Sequence, residues 1–389
     1  MRNRCLSLVA VLVLATCVSA ENWSRFRGPG GAGISNEKGF PVTWTANDYK
    51  WKTPLPGLGH SSACVWGDHV FITSALDAGR VRLVFDINAE TGEILWSDRL
   101  TSRTHEKHQL NSYASATPAS DGQRVYVMFS TNEDFQVRAY DFKGQRVWQQ
   151  NIGAFYNRHG HGCGTSPIVY RDLVIVASQH DGPSSIVGLD AATGKVRWKS
   201  DRKVGLTAHS TPVVLERDGK TPQLFFSNTG DGISSLDPRN GKLVWRAAAV
   251  FTSRAVNSPV VAGNLVLAIA GGGGKGKQMA AISVDQVGDV PAEKAAWIRD
   301  RNLPYVPTPL AFGKYLYLWA DNGVVTCVES ATGKDIWMQR VGGKYWASPI
   351  CLDGRLYNIT ADGEVVVLAT GPKYQLLGKT RIGEPFHGT

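Results

Sequence analysis

Methionine is scarce in this 389-residue chain, with only 4, and no stretch sustains the apolar spacing of an amphipathic helix. That excludes a helical bundle or coiled coil. After residue 20 no apolar run is long enough to cross a bilayer as a helix. No two cysteines are adjacent, and neither a Gly-x-Ser-x-Gly elbow nor a His-Glu-x-x-His helix occurs, so the hydrolases built on those motifs find no support. What the chain does have is 42 Gly, 18 Pro and 12 Trp with abundant Val, material for strands joined by tight turns.

Residues 1–20 read as a signal peptide. Arg2 and Arg4 precede the apolar stretch from Leu6 to Val18, and Val18-Ser19-Ala20 forms a small-residue cleavage site, so Glu21 is expected to begin the mature chain. The competing reading is a lipoprotein anchored through Cys17, which Thr16 suits poorly. The expected location is therefore the periplasm or another extracytoplasmic space. Cys64, Cys163, Cys327 and Cys351 remain after processing, in a compartment that permits disulfides. Three of them sit in apolar strand patterns, where cysteine serves as a small buried hydrophobe. The formal charge of +9 favours acidic partners weakly and does not by itself indicate nucleic acid.

A repeat organises the rest. Trp51, Trp96, Trp148, Trp198, Trp245, Trp297 and Trp337 recur at intervals of 40 to 52 residues. Before several of them stands one phrase, as in Asp86…Thr91-Gly92-Glu93-Ile94-Leu95-Trp96 and Asp190…Thr193-Gly194-Lys195-Val196-Arg197-Trp198. Asp, Thr and Gly build a tight turn, and the residues after it form a short strand ending in an indole that can fill a seam between sheets. A second phrase opens each unit: Ala116-Thr117-Pro118, Thr165-Ser166-Pro167, Ser210-Thr211-Pro212, Asn257-Ser258-Pro259, Pro307-Thr308-Pro309 and Ala347-Ser348-Pro349. Proline is tolerated at the first position of a strand. Each unit thus holds four strands in up-and-down order, giving an all-β propeller of four-stranded antiparallel blades over 51–389, with 21–50 as a lead-in.

Seven complete strand sets begin near residues 62, 114, 165, 210, 257, 307 and 348, whereas outermost-strand positions number eight, the seven tryptophans and Leu377. The favoured plan is eight blades with an incomplete last one, its unpaired sheet edge beside a Trp51 strand; the alternative is seven blades.

The Asp-x-x-Thr-Gly-x-x-x-Trp phrase resembles the tryptophan-docking motif of quinoprotein-type propellers, the group of pyrroloquinoline-quinone (PQQ) dehydrogenases and the assembly lipoprotein BamB. Trp23-Ser24-Arg25-Phe26-Arg27-Gly28-Pro29-Gly30-Gly31-Ala32-Gly33 is similar to the opening of secreted bacterial PQQ-like repeat proteins. The resemblance spans Trp23 to Glu384 and implies a fold more than a function. In the dehydrogenases it implies a vicinal disulfide, a calcium held by acidic and amide side chains, and an aspartate base. This chain has no adjacent cysteines and lacks the long insertions, so no cofactor is expected.

Candidate site residues come from the loops. Gly271-Gly272-Gly273-Gly274-Lys275-Gly276-Lys277 nearly spells a phosphate loop, but Gln278 replaces the Ser/Thr and the flanks read as strands, so a hairpin loop is expected. His60, His105, His108, His159, His161, His180, His209 and Arg254 fall in loops that an up-and-down blade presents on one face, around the central opening. Arg103, Lys107, Arg158, Lys275, Lys277 and Arg301 fall in the same loops. His159, His161 and Cys163 have a spacing that could hold a metal, without a fourth ligand in view. The expected function is a non-enzymatic extracytoplasmic binding module or assembly scaffold, its partner another protein or an acidic ligand. The alternative is a PQQ- or metal-dependent oxidoreductase or hydrolase using the histidine-rich face.

Overall fold

The computed structural model describes residues 21–158, 160–272 and 276–386. Sheet 1 consists of Cys64–Trp66, His69–Leu76, Val81–Asn88 and Ile94–Thr101, each antiparallel to the next. Sheets 2 to 7 repeat this order over 119–151, 168–202, 213–247, 260–299, 310–340 and 350–381, so the described residues contain seven sheets. Two of them gain a short parallel fifth strand: Ile34–Ser35 beside Ile350–Leu352 in sheet 7, and Gly288–Asp289 beside Leu243–Ala247 in sheet 4.

The cause of this plan lies in the apolar runs. In sheet 3 every residue of Leu173–Ser178 is buried, whereas the outermost strand, Val196–Arg202, alternates with solvent. A sheet buried on both faces needs a neighbour on each side, and the apolar clusters lie between sheets. Tyr126, Met128 and Val137 of sheet 2 pack with Val174, Val176 and Val187 of sheet 3.

The tryptophans lock these seams. Trp148 donates its indole N–H to the Ala191 carbonyl in the next sheet's turn at 2.9 Å, and its ring lies over Gly194, where a Cβ would come within 2.6 Å of an indole carbon. Trp51, Trp96, Trp198 and Trp297 repeat the arrangement on Ala89 and Gly92, Phe142 and Gly144, Pro238 and Gly241, and Ser330 and Gly333. Trp337 donates to Gly371. The exception is explained by the sequence. Sheet 5 lacks the Asp-x-x-Thr-Gly turn, and Trp245 turns instead to the Gln223 side chain of its own sheet at 3.2 Å.

A bulge accompanies the ladder. In every sheet but the fifth, the residue before the Trp position is skipped in the pairing, as with Arg197 between Trp198, opposite Gly188, and Val196, opposite Leu189. This corrects the eighth rung. Leu377 is the skipped residue, and Gly378 stands in the Trp register, opposite Val367. The reason is steric: a Cβ on Gly378 would lie 2.2 Å from the Val42 carbonyl oxygen, so the backbone of Val42-Thr43 fills the space that an indole fills elsewhere.

The seam between sheets 7 and 1 is therefore unlike the other six. No strand forms at Trp51, contrary to the expected strand edge there; the indole docks on sheet 1, and Leu58 makes a single bridge to Ala75. Residues 40–44 cover the outer part of sheet 7, with the Phe40 carbonyl accepting from Arg355 and the Trp44 amide donating to Thr380. Lys52 pairs with Glu384, and the Phe386 amide reaches the Ala361 carbonyl, so the residues after sheet 7 reach the Trp51 segment at this seam. The four cysteines are free thiols; Cys64, Cys327 and Cys351 are buried as small hydrophobes.

Replacing Gly194 by Ala should cost more than replacing Gly263, although both have positive φ (+72° and +57°). At Gly263 only the left-handed backbone is penalised, about 1–2 kcal/mol, because nothing lies near its Cβ position. At Gly194 the displaced indole adds about 1–3 kcal/mol. Urea denaturation of the two variants measures the difference, and equal losses would refute the role given to the bare glycine.

Candidate functional site at the mouth of the central channel

The opening phrases define the inner wall. The amide of Ser62 donates to the Thr117 hydroxyl, Thr117 to Ser166, Ser166 to Thr211, Thr211 to Ser258, Ser258 to Thr308 and Thr308 to Ser348, all at 3.0 to 3.2 Å. One hydroxyl per sheet thus satisfies the amide before it, and the Ser/Thr preference ahead of proline follows from that geometry.

Residues 23–35 cross the space inside this belt. The Val65 amide binds the Trp23 carbonyl and the Ser120 amide binds the Ser24 carbonyl, which ties the segment to sheets 1 and 2. Arg25 donates to the Pro212 carbonyl at 2.7 Å; Arg27 donates to the carbonyls of Pro349 and Pro309 at 3.0 and 3.1 Å. The Cys351 amide closes on the Gly33 carbonyl. Both guanidinium groups are buried against carbonyl oxygens, and burial lowers their pKa to about 9. They remain charged at neutral pH. The sequence reading took this segment only as a lead-in; as a strap across the channel it left no periodic signal.

Phe26, between the two arginines, forms part of the wall of a cavity of about 800 Å³. His60, His108, His161, His209 and Arg254 line it together, so five of the eight loop residues singled out in the sequence converge. The His108 and His161 ring centroids are 4.6 Å apart, and those of His161 and His209 are 6.2 Å apart. Asn111 donates to the His161 carbonyl, and His108 Nδ1 accepts from the Leu110 amide at 3.2 Å. Burial, with Arg254 and His161 nearby, drops the pKa of His209 to about 3. Among the described residues no Asp, Glu or Lys lines the cavity. Asp181, the carboxylate felt by Arg254, is raised by burial, but hydrogen bonds from the Arg158 and Thr207 amides more than offset this and hold it below its usual range. Phe26, Tyr305 and Trp346 supply aromatic wall that the search for polar loop residues passed over.

The other candidates lie elsewhere. His105 borders a separate small cavity beside Cys163 and Tyr113, where burial lowers its pKa to about 4. His180 is buried against Phe155 and Tyr156. The Cys163 thiol is pushed up to about 12 by burial and does not face the large cavity. Among the described residues no group of three or more His, Cys, Asp or Glu is placed to hold a metal. His159, Lys275, residues 1–20 with Cys17, and His387 fall outside the described residues. Most of the other basic loop residues are tied down: Arg103 to Glu133, Lys107 to the carbonyls of His108 and Asn111, Lys277 to Asp321 and Arg301 to Asp335. The glycine-rich segment joins two paired strands, with Gly271 opposite Lys277, as a hairpin.

Comparison with known proteins agrees with this architecture. A family model described as outer membrane protein assembly factor BamB matches residues 41–201, 154–310 and 304–372. BamB of Yersinia pestis is 21% identical over 304 residues, covering 76% of this chain and 61% of that protein. A polyvinylalcohol dehydrogenase of Pseudomonas sp. is 26% identical over 235 residues, covering 54% and 34%. The chain thus spans about a third to three fifths of the length of these curated relatives. Among solved structures, BamB from Moraxella catarrhalis superimposes with a TM-score of 0.58 at 15% identity, covering 84% of this chain and 86% of that one. A europium-containing methanol dehydrogenase gives 0.57 at 14%, covering 90% and 89%. At such identities the structures show a shared fold alone, the propeller. Because the matched spans together run over most of the sequence, the chain belongs to the family described as outer membrane protein assembly factor BamB.

Proposed function

We propose that the protein is a non-enzymatic, extracytoplasmic propeller that acts as a binding module or assembly scaffold, holding an acidic ligand or the acidic face of a partner protein at the histidine-lined mouth. The observation that carries this reading is the one-sided chemistry of that cavity: Arg254 and four histidines in the lining and, among the described residues, no carboxylate. The strap strengthens the bias, since Phe26 lies between two buried guanidinium groups that meet carbonyl oxygens. Charge in a concave, partly dry site attracts anions more strongly than the same charge on an open surface. Relatives named as assembly factors support a protein-holding role at the outer membrane, and an exported location fits the N-terminal reading.

A second reading, a quinone-dependent oxidoreductase, is favoured by the size of the cavity and its aromatic wall, and by relatives named as dehydrogenases. The donor set counts against it: a calcium-bound quinone needs carboxylates, and the described residues of this cavity offer none.

A labelled glutamate-rich peptide should bind the purified mature protein in a salt-sensitive manner, and Arg254→Met should weaken binding tenfold or more. Unchanged affinity in that variant would overturn the assignment. A quinone chromophore or metal bound one to one would overturn the non-enzymatic reading.

The buried histidines give a pH dependence whose sign is fixed. His209 and His105 have folded pKa values of about 3 and about 4, below the ordinary value near 6.5. The unfolded chain therefore takes up their protons first, and stability falls as pH drops from about 6.5 towards 4. His209→Gln should flatten the fall in thermal midpoint over that window; an unchanged slope would contradict the burial of a neutral imidazole.

A further inference from the structure

The hydroxyl belt has six links for seven sheets. Among the described residues no hydroxyl receives the amide of Ser348, and no amide reaches the hydroxyl of Ser62. Both residues border a second cavity, of about 520 Å³, between sheets 7 and 1. Much of its wall is apolar: Val65 on the sheet 1 side, Ile350, Leu352, Ile359 and Val365 on the sheet 7 side, and Trp23 and Phe40 from the strap and its continuation, while Arg27 borders it as the one basic residue of the lining among the described residues. Glu21 and Glu37 are the acidic groups of the lining; Glu21 accepts from the Ser35 hydroxyl and the Asn36 amide, and Glu37 from the Glu21 backbone nitrogen, which leaves the second oxygen of each carboxylate for a further donor.

At the other six junctions the corresponding position is taken by the opening phrase of the next sheet. There a Ser or Thr accepts from the preceding amide, at five of the six it also donates its own amide onward, and apolar strand residues follow. The two open ends of the belt and the apolar walls between them present the same demand. The space lies within the range of small-ligand pockets and is too small for a further four-stranded sheet. A short extended segment matches it.

We infer that this groove binds an extended segment of a partner protein in which a Ser or Thr is followed by apolar residues, with a basic residue alongside. The Ser/Thr hydroxyl accepts from the Ser348 amide, its own amide donates to the Ser62 hydroxyl, and the apolar residues enter between sheets 7 and 1. The lysine or arginine lies against Glu21 and Glu37. Binding closes the belt in trans, by the contact that closes it in cis elsewhere. Ser348 borders both this groove and the central cavity, but the proposal does not rest on the anion-binding reading.

The test uses a fluorescent peptide copying residues 255–262 of this chain with an added N-terminal lysine, titrated into the mature protein and followed by anisotropy. Saturable binding is expected, weakened at least tenfold when alanine replaces the serine in the peptide. Ala63→Trp, which fills the groove, should abolish it, and Glu37→Lys, which leaves the interior intact, should weaken it severalfold. Arg254→Met should leave it unchanged, which separates this site from the central cavity. Absence of binding at millimolar peptide, or equal binding to the filled groove, overturns the proposal. So does self-association of the protein that Ala63→Trp removes, which would assign the groove to a second copy of the chain, and so does displacement of the peptide by a fatty acid but not by its unlabelled form.

Discussion

An indole lying over a bare glycine, its N–H held by the carbonyl of the same turn, is the contact on which this molecule depends. A four-stranded sheet with two apolar faces cannot remain alone in water. Stacking solves that problem only if each sheet finds its neighbour at a fixed height and angle. Apolar burial is non-directional and sets neither. The hydrogen bond from Trp148 to Ala191, and its counterparts in the other sheets, sets both at once. Glycine is required at the receiving turn for two independent reasons, a positive φ and the absence of a Cβ under the ring.

Because these contacts run from one sheet to the next in chain order, the place where the order must wrap round needs contacts of its own. Two solutions coexist there. On the sheet 1 side Trp51 reproduces the usual indole contact without belonging to a strand. On the sheet 7 side the register position is Gly378, and a backbone segment replaces the ring. A tryptophan at 378 would collide with Val42, so the chain takes either the indole or the covering segment, and it has the segment.

The sequence made the repeat legible because its signals are local. A turn phrase, a strand and an indole can each be read within ten residues, and the structure has the four-stranded sheets where the phrases placed them. Legibility failed where the deciding partner lies far away in sequence. Leu377 looked like a rung because its spacing is right, yet the pairing assigns Gly378, and the cause is residue 42. The strap escaped for the same reason: Arg25 and Arg27 are held by carbonyls 187 and 282 or more residues away, and nothing in local spacing announces that. Of the histidines at blade crossings, His60, His108, His161 and His209 were traced to a common opening by topology alone. His105 and His180 lie beside or behind it because side-chain direction, unlike loop position, is set by packing.

The strap also links the two ends of the argument about function. A guanidinium could be neutralised by a carboxylate, and a strap with Asp in its surroundings would be cheaper to bury. Arg25 and Arg27 instead meet proline carbonyls, whose partial charges satisfy hydrogen bonds without cancelling a full positive charge. That arrangement is a poor choice for stability alone, as the lowered pKa of both groups indicates. It makes sense if the residual field is used. Arg27 borders the groove between sheets 7 and 1, whereas Phe26 borders the large cavity, whose lining adds Arg254 and, among the described residues, no carboxylate. Closure of the ring and charge near the proposed site are thus served by the same short segment, so a chain lacking it would lose contacts at the seam and the two guanidinium groups together.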